Sequence, residues 1–333
     1  MSEVLSCVAF VVGATVSLAT SWVLVSRLER VGERLGLSEA LLGMVAALAA
    51  DAPEITASVT ALVHRQPTIG AGVVLGSNVF NLAALLGLGA VVAGRISLHR
   101  KVIAFSGSAA LLIGAACVLS VGRQLPGGVG LAVVLVVFVP FVVLLGAHRR
   151  ILGRLGPRAR WAAWLNDAIL EEESELNESI RPSPGTNVDT LVAGAALVIV
   201  VLASVAMERG ASSLGRHFGV AQIIVGGLVL AAVTSLPNAV SAIYLARRSR
   251  GAATLSTALN SNSLNVVGGL LIPATMLGLA RPSAAGLLVA GWYVGLTALT
   301  LVLAYAAHGL GRATGGLIIG AYVLFVVVLL LIS

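Results

Sequence analysis

DAPE (Asp51 to Glu54) followed by GSNVFN (Gly76 to Asn81), and later SLPN (Ser235 to Asn238) followed by NSNSLN (Asn260 to Asn265), is one cassette written twice. The first copy runs from Leu42 to Leu88 and the second from Gly226 to Ile272. They align without a gap. Gly43 falls on Gly227, Pro53 on Pro237, Ser77 on Ser261, Asn78 on Asn262 and Asn81 on Asn265. The shared residues are polar or helix-breaking, so the duplication is not a repeat of mere greasiness. In a hydrophobic chain such a cassette points to an internally symmetric membrane transporter.

The surrounding composition sets the medium. The chain of 333 residues is 58% hydrophobic and only 11% charged, with mean hydropathy +1.02. That lies outside the range of soluble domains. The net charge of +7 does not signal nucleic acid, because the basic residues sit in short loops between apolar runs. Cys7 and Cys117 lie within apolar runs and read as packing residues. The N-terminus has no basic lead-in, so the first apolar run reads as a retained helix, not a cleaved signal.

Ten stretches are long enough to cross a bilayer: 4–26, 38–63, 68–93, 102–121, 126–147, 188–207, 219–246, 252–279, 283–305 and 313–332. The expected fold is therefore an all-α membrane protein of ten transmembrane helices. The charged segment 148–187 divides it into five-helix halves, 1–147 and 188–333. Of the 21 Lys and Arg residues, 16 fall in the loops after helices 1, 3, 5, 7 and 9, and 5 elsewhere. The positive-inside rule makes the first set cytoplasmic and puts both termini outside. An odd number of helices per half then inverts the second cassette relative to the first, which builds a site near the midplane.

Asp51 and Glu54 are the carboxylates deep inside the predicted spans, and each is expensive to hold in hydrocarbon, by at least ~2.5 kcal/mol. At spacing i, i+3 they share a helix face. Pro53 and Pro237 cannot donate to the carbonyls of Ala49 and Val233, so both helices are expected to kink and expose backbone oxygen. Carboxylate, carbonyl, hydroxyl and amide oxygens suit hard cations such as Ca²⁺ and Na⁺. The candidate ligands are Asp51, Glu54, Ser77, Asn81, Thr234, Ser235, Asn238, Ser261 and Asn265. Asn78 and Asn262 fit a structural role, closing hydrogen bonds between helices.

Pro-Glu in one helix, G-S-N-x-F-N in the next, and the pair repeated after five helices: this pattern resembles the cation/Ca²⁺ exchanger superfamily, above all its prokaryotic sodium/calcium exchanger type. The resemblance implies a cation site between helices 2, 3, 7 and 8, and alternating access by sliding of helices 1 and 6. It also implies Na⁺/Ca²⁺ antiport in a prokaryotic cytoplasmic membrane. Where such proteins carry Glu after Pro in both repeats, this chain has Glu54 and Asn238, and Asp51 stands where Ser is usual. Asp51 reads as the replacement for the missing charge. Competing readings are exchange with protons or another divalent metal, and a degenerate homologue that senses or scaffolds. An aspartyl-type intramembrane enzyme is disfavoured because the two acids share one helix.

No cofactor is expected, and the absence of a Walker A pattern leaves an ion gradient as the driving force. The expected partners are membrane lipid and inorganic cations, with no obligatory protein partner. In the linker, Trp161, Trp164, Leu165, Ala168 and Ile169 recur at helical spacing and suggest a helix on the inner membrane surface. Arg149, Arg150, Arg154, Arg158 and Arg160 lead into it, and an acidic run from Glu171 to Glu178 follows as a solvated face.

Overall fold

The computed structural model describes residues 2–153, 160–177, 183–247, 250–279 and 281–333, with a few side chains in these ranges excepted. Its first half contains α1 (Glu3–Arg34), α2 (Glu39–Ala50), α3 (Ala52–Val63) and α4 (Pro67–Asn81). A π-helical stretch (Leu82–Leu88) carries α4 into α5 (Gly89–Ala93). There follow β1 (Arg95–Ser97), α6 (Arg100–Val121), α7 (Gly127–Gly153) and α8 (Arg160–Asn177). The second half contains α9 (Asn187–His217), α10 (Gln222–Ile224), a π stretch (Val225–Leu230), α11 (Ala231–Thr234) and α12 (Leu236–Arg247). Then come α13 (Gly251–Leu264), a third π stretch (Asn265–Leu271), α14 (Ile272–Leu277), α15 (Ala284–Ala307), β2 (Gly309–Gly311) and α16 (Arg312–Ile332).

Among the described residues seven continuous helical segments are long and apolar enough to cross a membrane, and two more spans arise if each bent pair is counted as one. The bends are 48° between α2 and α3 and 44° in the pair 222–247. Segment 251–277 is helical throughout, but Asn260, Ser261, Asn262, Ser263 and Asn265 make it more polar than the others. Lipid-facing surface is evident on the outer helices, where Val11 and Trp22 of α1, Val136 of α7, Leu202 of α9 and Leu331 of α16 stand exposed. The all-α expectation needs one amendment. Arg95–Ser97 and Gly309–Gly311 form a short antiparallel ladder, in register Arg95 to Gly311, tying two loops together.

Local chemistry explains where the helices start. The Ser2 hydroxyl accepts from the Leu5 amide at 3.3 Å, and Thr186 and Asp189 cap α9 reciprocally. α1 and α9 begin 184 residues apart, the spacing of the cassettes, and pack antiparallel over much of their length. Ser17 and Ser204 hydroxyls meet at 2.8 Å, and Arg27 pairs with Asp189 at 2.7 Å. α9 runs on to His217, beyond the apolar run that ends at Met207, because Glu and Arg are good helix formers even where hydropathy drops. This places Glu208 inside a helix, buried.

α8 forms where the periodicity predicts, and the expected apolar face is split: its C-terminal part turns inward while its tryptophans stay exposed. Ala162, Ala168 and Ile169 are buried, while Trp161 and Trp164 are exposed. Ala168 and Ile169 pack with Met44, Phe105, Phe141 and Leu264, so protein, not lipid alone, covers the apolar side. Lys101 reaches Asp167 at 2.6 Å and His99 reaches Glu171 at 2.7 Å. The side chains from Arg149 to Arg160 and those after Glu171 in the acidic run lie outside the described residues, as do 154–159 and 178–182 entirely.

α4 crosses the second half through glycine. A Cβ on Gly76 would collide with the backbone of Gly227, and one on Gly226 with the carbonyl of Ile69. Backbones in such contact gain dispersion that any side chain would forfeit. Gly76→Ala is expected to destabilise the protein by about 1–3 kcal/mol through overpacking. Thermal unfolding in detergent measures it, and an unchanged melting temperature would refute the close approach.

Candidate cation site

Both bends fall at equivalent residues, Asp51 and Ser235. Their backbone angles nearly coincide, φ −80° and ψ −6° for Asp51 against φ −83° and ψ −2° for Ser235. The cause is the proline two residues on, which withholds an N–H from the preceding turn. The Ala49 carbonyl so released meets the Ser21 hydroxyl of α1 at 3.4 Å. The π-helical stretches after Asn81 and from Asn265 onward add a second local distortion to each cassette, next to its last Asn. Such bulges often mark functional segments.

All nine predicted ligands are buried, none more than 1% exposed. Seven of them form two hydrogen-bonded groups, one around each carboxylate, joined into one web through Asn78 and Asn262. Ser235 donates to Glu54 Oε1, and Asn265 Nδ2 to Glu54 Oε2 at 3.3 Å. Asn238 Nδ2 and Ser261 Oγ each donate to Asp51 Oδ1 at 2.6 Å. Ser261 Oγ in turn accepts from Asn238 at 3.1 Å and from Asn81 at 3.2 Å. Ser77 and Thr234 stay out of the web. Their hydroxyls donate to their own helices, at Val74 and Leu230 carbonyls. A hydroxyl that spends its proton this way keeps its lone pairs for another ligand.

Asn78 and Asn262 form a reciprocal clasp. Each side-chain amide donates to the other's backbone carbonyl at 3.1 Å. Their own amide oxygens accept from Asn265 at 3.4 Å and Asn81 at 3.0 Å respectively. This is the structural role expected of them.

The web obeys the internal symmetry except in where its charge lies. Position 51 touches 238, and the equivalent position 235 touches 54. One contact is Asp to Asn and the other Ser to Glu. Each of the two equivalent contacts thus holds one carboxylate and one neutral partner.

The polar accounting leaves a specific residue. Asp51 Oδ2, Asn81 Oδ1, Asn238 Oδ1 and Asn265 Oδ1 are buried without a hydrogen-bond partner. Each Asn spends its N–H groups within the web, so every orphan in it is an oxygen acceptor. Unsatisfied buried acceptors are costly, by ~1–3 kcal/mol each, and a cation satisfies several at once. Among the described residues no three His, Cys, Asp or Glu gather as a metal cluster. An amide- and hydroxyl-rich oxygen set suits alkali and alkaline-earth ions, not soft transition metals.

The sequence pattern of the sodium/calcium exchanger protein family matches residues 5–147 and 189–331. The chain belongs to that family. It is 28% identical over 243 residues to Inner membrane protein YrbG of Escherichia coli K12, covering 72% of this chain and 70% of that one. It is 23% identical over 249 residues to the uncharacterized membrane protein MJ0091 of Methanocaldococcus jannaschii, covering 73% of each. Its fold is similar to that of the sodium-calcium exchanger NCX_Mj, with TM-score 0.63, 19% identity, and coverage of 98% of this chain and 99% of that one. This exchanger-family chain is an integral membrane protein of the type found in prokaryotic cytoplasmic membranes, a cation antiporter by family and not an enzyme.

Asn262→Ala is expected to remove one of two donors to the Asn78 carbonyl, which keeps the Leu82 amide, and one of two acceptors of the Asn81 amide, which keeps Ser261, costing about 0.5–1.5 kcal/mol for each lost hydrogen bond. A lowered melting temperature with unchanged ion preference is the expected result. Altered ion preference would make Asn262 a ligand.

Proposed function

We propose that this protein exchanges Na⁺ for Ca²⁺ across a prokaryotic cytoplasmic membrane by alternating access. The observation that carries the reading is the set of four unpartnered oxygens on Asp51, Asn81, Asn238 and Asn265 beside Glu54. The ligands in this reading are Asp51, Glu54, Ser77, Asn81, Thr234, Ser235, Asn238, Ser261 and Asn265. The transmembrane part is two inverted five-helix repeats, 1–147 and 188–333, joined by a cytoplasmic linker at 148–187, with both termini outside. The equivalent bends, and the antiparallel packing of α1 on α9, support this arrangement. Inorganic cations and lipid suffice as partners.

Charge constrains the coupling. A deep site tolerates little net charge, because desolvation is costly. Asp51 and Glu54 supply at most two negative charges, which one Ca²⁺ or two monovalent ions neutralise. Exchange of one divalent for two monovalent ions follows. Protons are the alternative counter-ion, favoured by one feature: the two carboxyl groups lie close enough across the bend to interact.

Flux in proteoliposomes tests the reading, with Na⁺, K⁺ or H⁺ gradients driving Ca²⁺ at clamped potentials. Ca²⁺ uptake driven by Na⁺ and nearly insensitive to voltage is expected, and Glu54→Gln should abolish it while the protein stays folded. Uptake driven by H⁺ alone would make the proton the counter-ion, and wild-type flux in Glu54→Gln would remove Glu54 from the site.

Asp51→Ser should impair divalent transport by at least tenfold, the cost of one lost charge-assisted contact at ~1.5–3 kcal/mol. Adding Asn238→Glu should restore part of it, since 238 and 51 share one contact. Normal transport by Asp51→Ser alone would sink the charge exchange between repeats.

A further inference from the structure

Glu208 is buried to 1% exposure, and neither of its carboxylate oxygens has a hydrogen-bond partner. The helical register of 184 residues relates it to Leu24 of α1, which fills its own buried slot with hydrocarbon at 1% exposure. The fold therefore does not require a carboxylate there. Facing Glu208 is the imidazole of His64, the residue that ends α3, with Nδ1 at 3.7 Å from Glu208 Oε2. On its other side His64 Nε2 lies 3.1 Å from Arg209 Nη2. A guanidinium only donates, so Nε2 must accept and the ring proton sits on Nδ1, toward Glu208. A cavity of about 410 Å³ opens here, lined also by Gln66, Ser212 and Arg216. Gln66 Oε1 accepts from Ser212 at 2.5 Å, and Ser212 accepts from Arg216 at 2.8 Å.

We propose that His64 and Glu208 form a proton-binding site, separate from the central web, that clasps α3 to α9. A proton taken up at Nε2 turns an acceptor into a donor. The Arg209 hydrogen bond is then lost, and the ring Nδ1–H is left facing Glu208, whose two oxygens have no hydrogen-bond partner. The remaining charges near the cluster are Arg65 in the turn after α3 and Arg216 on α9. At the end of α9, His217 pairs with Glu3 of α1. None of these offers Glu208 a hydrogen bond. A cation-metal site is a poorer fit, because Arg209 and Arg216 line the same cavity.

The sign follows from linkage. A state that binds the proton better is favoured as pH falls and loses that advantage as pH rises. The clasp therefore forms on acidification. His64 lies ten residues along α3 from Glu54, about 15 Å at helical rise, so the proton acts on the helix and not on the ions. Its effect on transport, a slowing of exchange when the face bearing the 64–66 turn is acidified, rests on the antiport reading above. The clasp itself does not.

Hydrogen–deuterium exchange of the purified protein separates the two. After correction for intrinsic pH dependence, amides of 62–68 and 204–216 should gain about tenfold protection between pH 8 and pH 6, the worth of one hydrogen bond to a charged group. His64→Gln and Glu208→Gln should each lose this gain. Glu208→Leu, which copies the apolar slot of α1, serves as a second variant should the amide disturb folding. The same pH response in all variants, or none in the wild type, overturns the proton site whether or not the protein transports Ca²⁺. An acid-slowed flux that persists in His64→Gln overturns its link to transport.

Discussion

Two carboxylates buried at one helix bend, with no Lys or Arg beside them, constrain everything else in this molecule. Neither Asp51 nor Glu54 makes an ion pair within the described residues. Hydroxyl and amide donors from three other segments come to them instead, from Ser235, Asn238, Ser261 and Asn265. Neutral donors lower the cost of burial without cancelling charge. Carboxylates held in that way keep their negative charge available, which an internal ion pair would have cancelled. It also demands close helix packing, since every donor must reach its oxygen. The glycines at the crossing of Gly76 and Gly227 meet that demand.

The internal symmetry orders the contacts of the two carboxylates. Equivalent contacts, 51 with 238 and 54 with 235, each hold one carboxylate and one neutral partner. Moving a charge across such a contact preserves the sum of charges and the local hydrogen bond. It does change the distribution. Both carboxylates now belong to the bend between α2 and α3, whereas the second bend is uncharged. The negative charge is therefore concentrated on one repeat, and the other contributes hydroxyl and amide dipoles.

Much of this was legible in the sequence, for identifiable reasons. Hydropathy marks long apolar helices because lipid demands them, and polar residues within them stand out against that background. Hence the cassettes, the proline bends and the separate role of Asn78 and Asn262 could be read from residues alone. What hydropathy cannot mark is helix that continues after the apolar run has ended. α9 extends past Met207, and Glu208 was missed for that reason. Nor does periodicity alone choose which side of α8 is buried. Trp161, Trp164, Leu165, Ala168 and Ile169 suggested one membrane-facing surface, whereas Ala168 and Ile169 pack on the protein and the two tryptophans remain exposed. The pairing of Arg95–Ser97 with Gly309–Gly311 joins loops more than 200 residues apart and leaves no local signature.

The bends and the α1–α9 pair belong to one mechanical system. Ser21 of α1 contacts the Ala49 carbonyl that Pro53 frees, so α1 touches the backbone of the bend holding Asp51. α9 in turn packs against α3, where Met207 and Ala211 meet Ala57 and Ala61. A shift of the α1–α9 pair along its axis would thus act on both sides of the bend, through a hydrogen bond at one end and apolar contact at the other. Packed interfaces of this kind favour discrete alternatives over continuous deformation. The contact of the α1–α9 pair with the charged bend is therefore a direct physical route by which a change at the bend would bear on helix position.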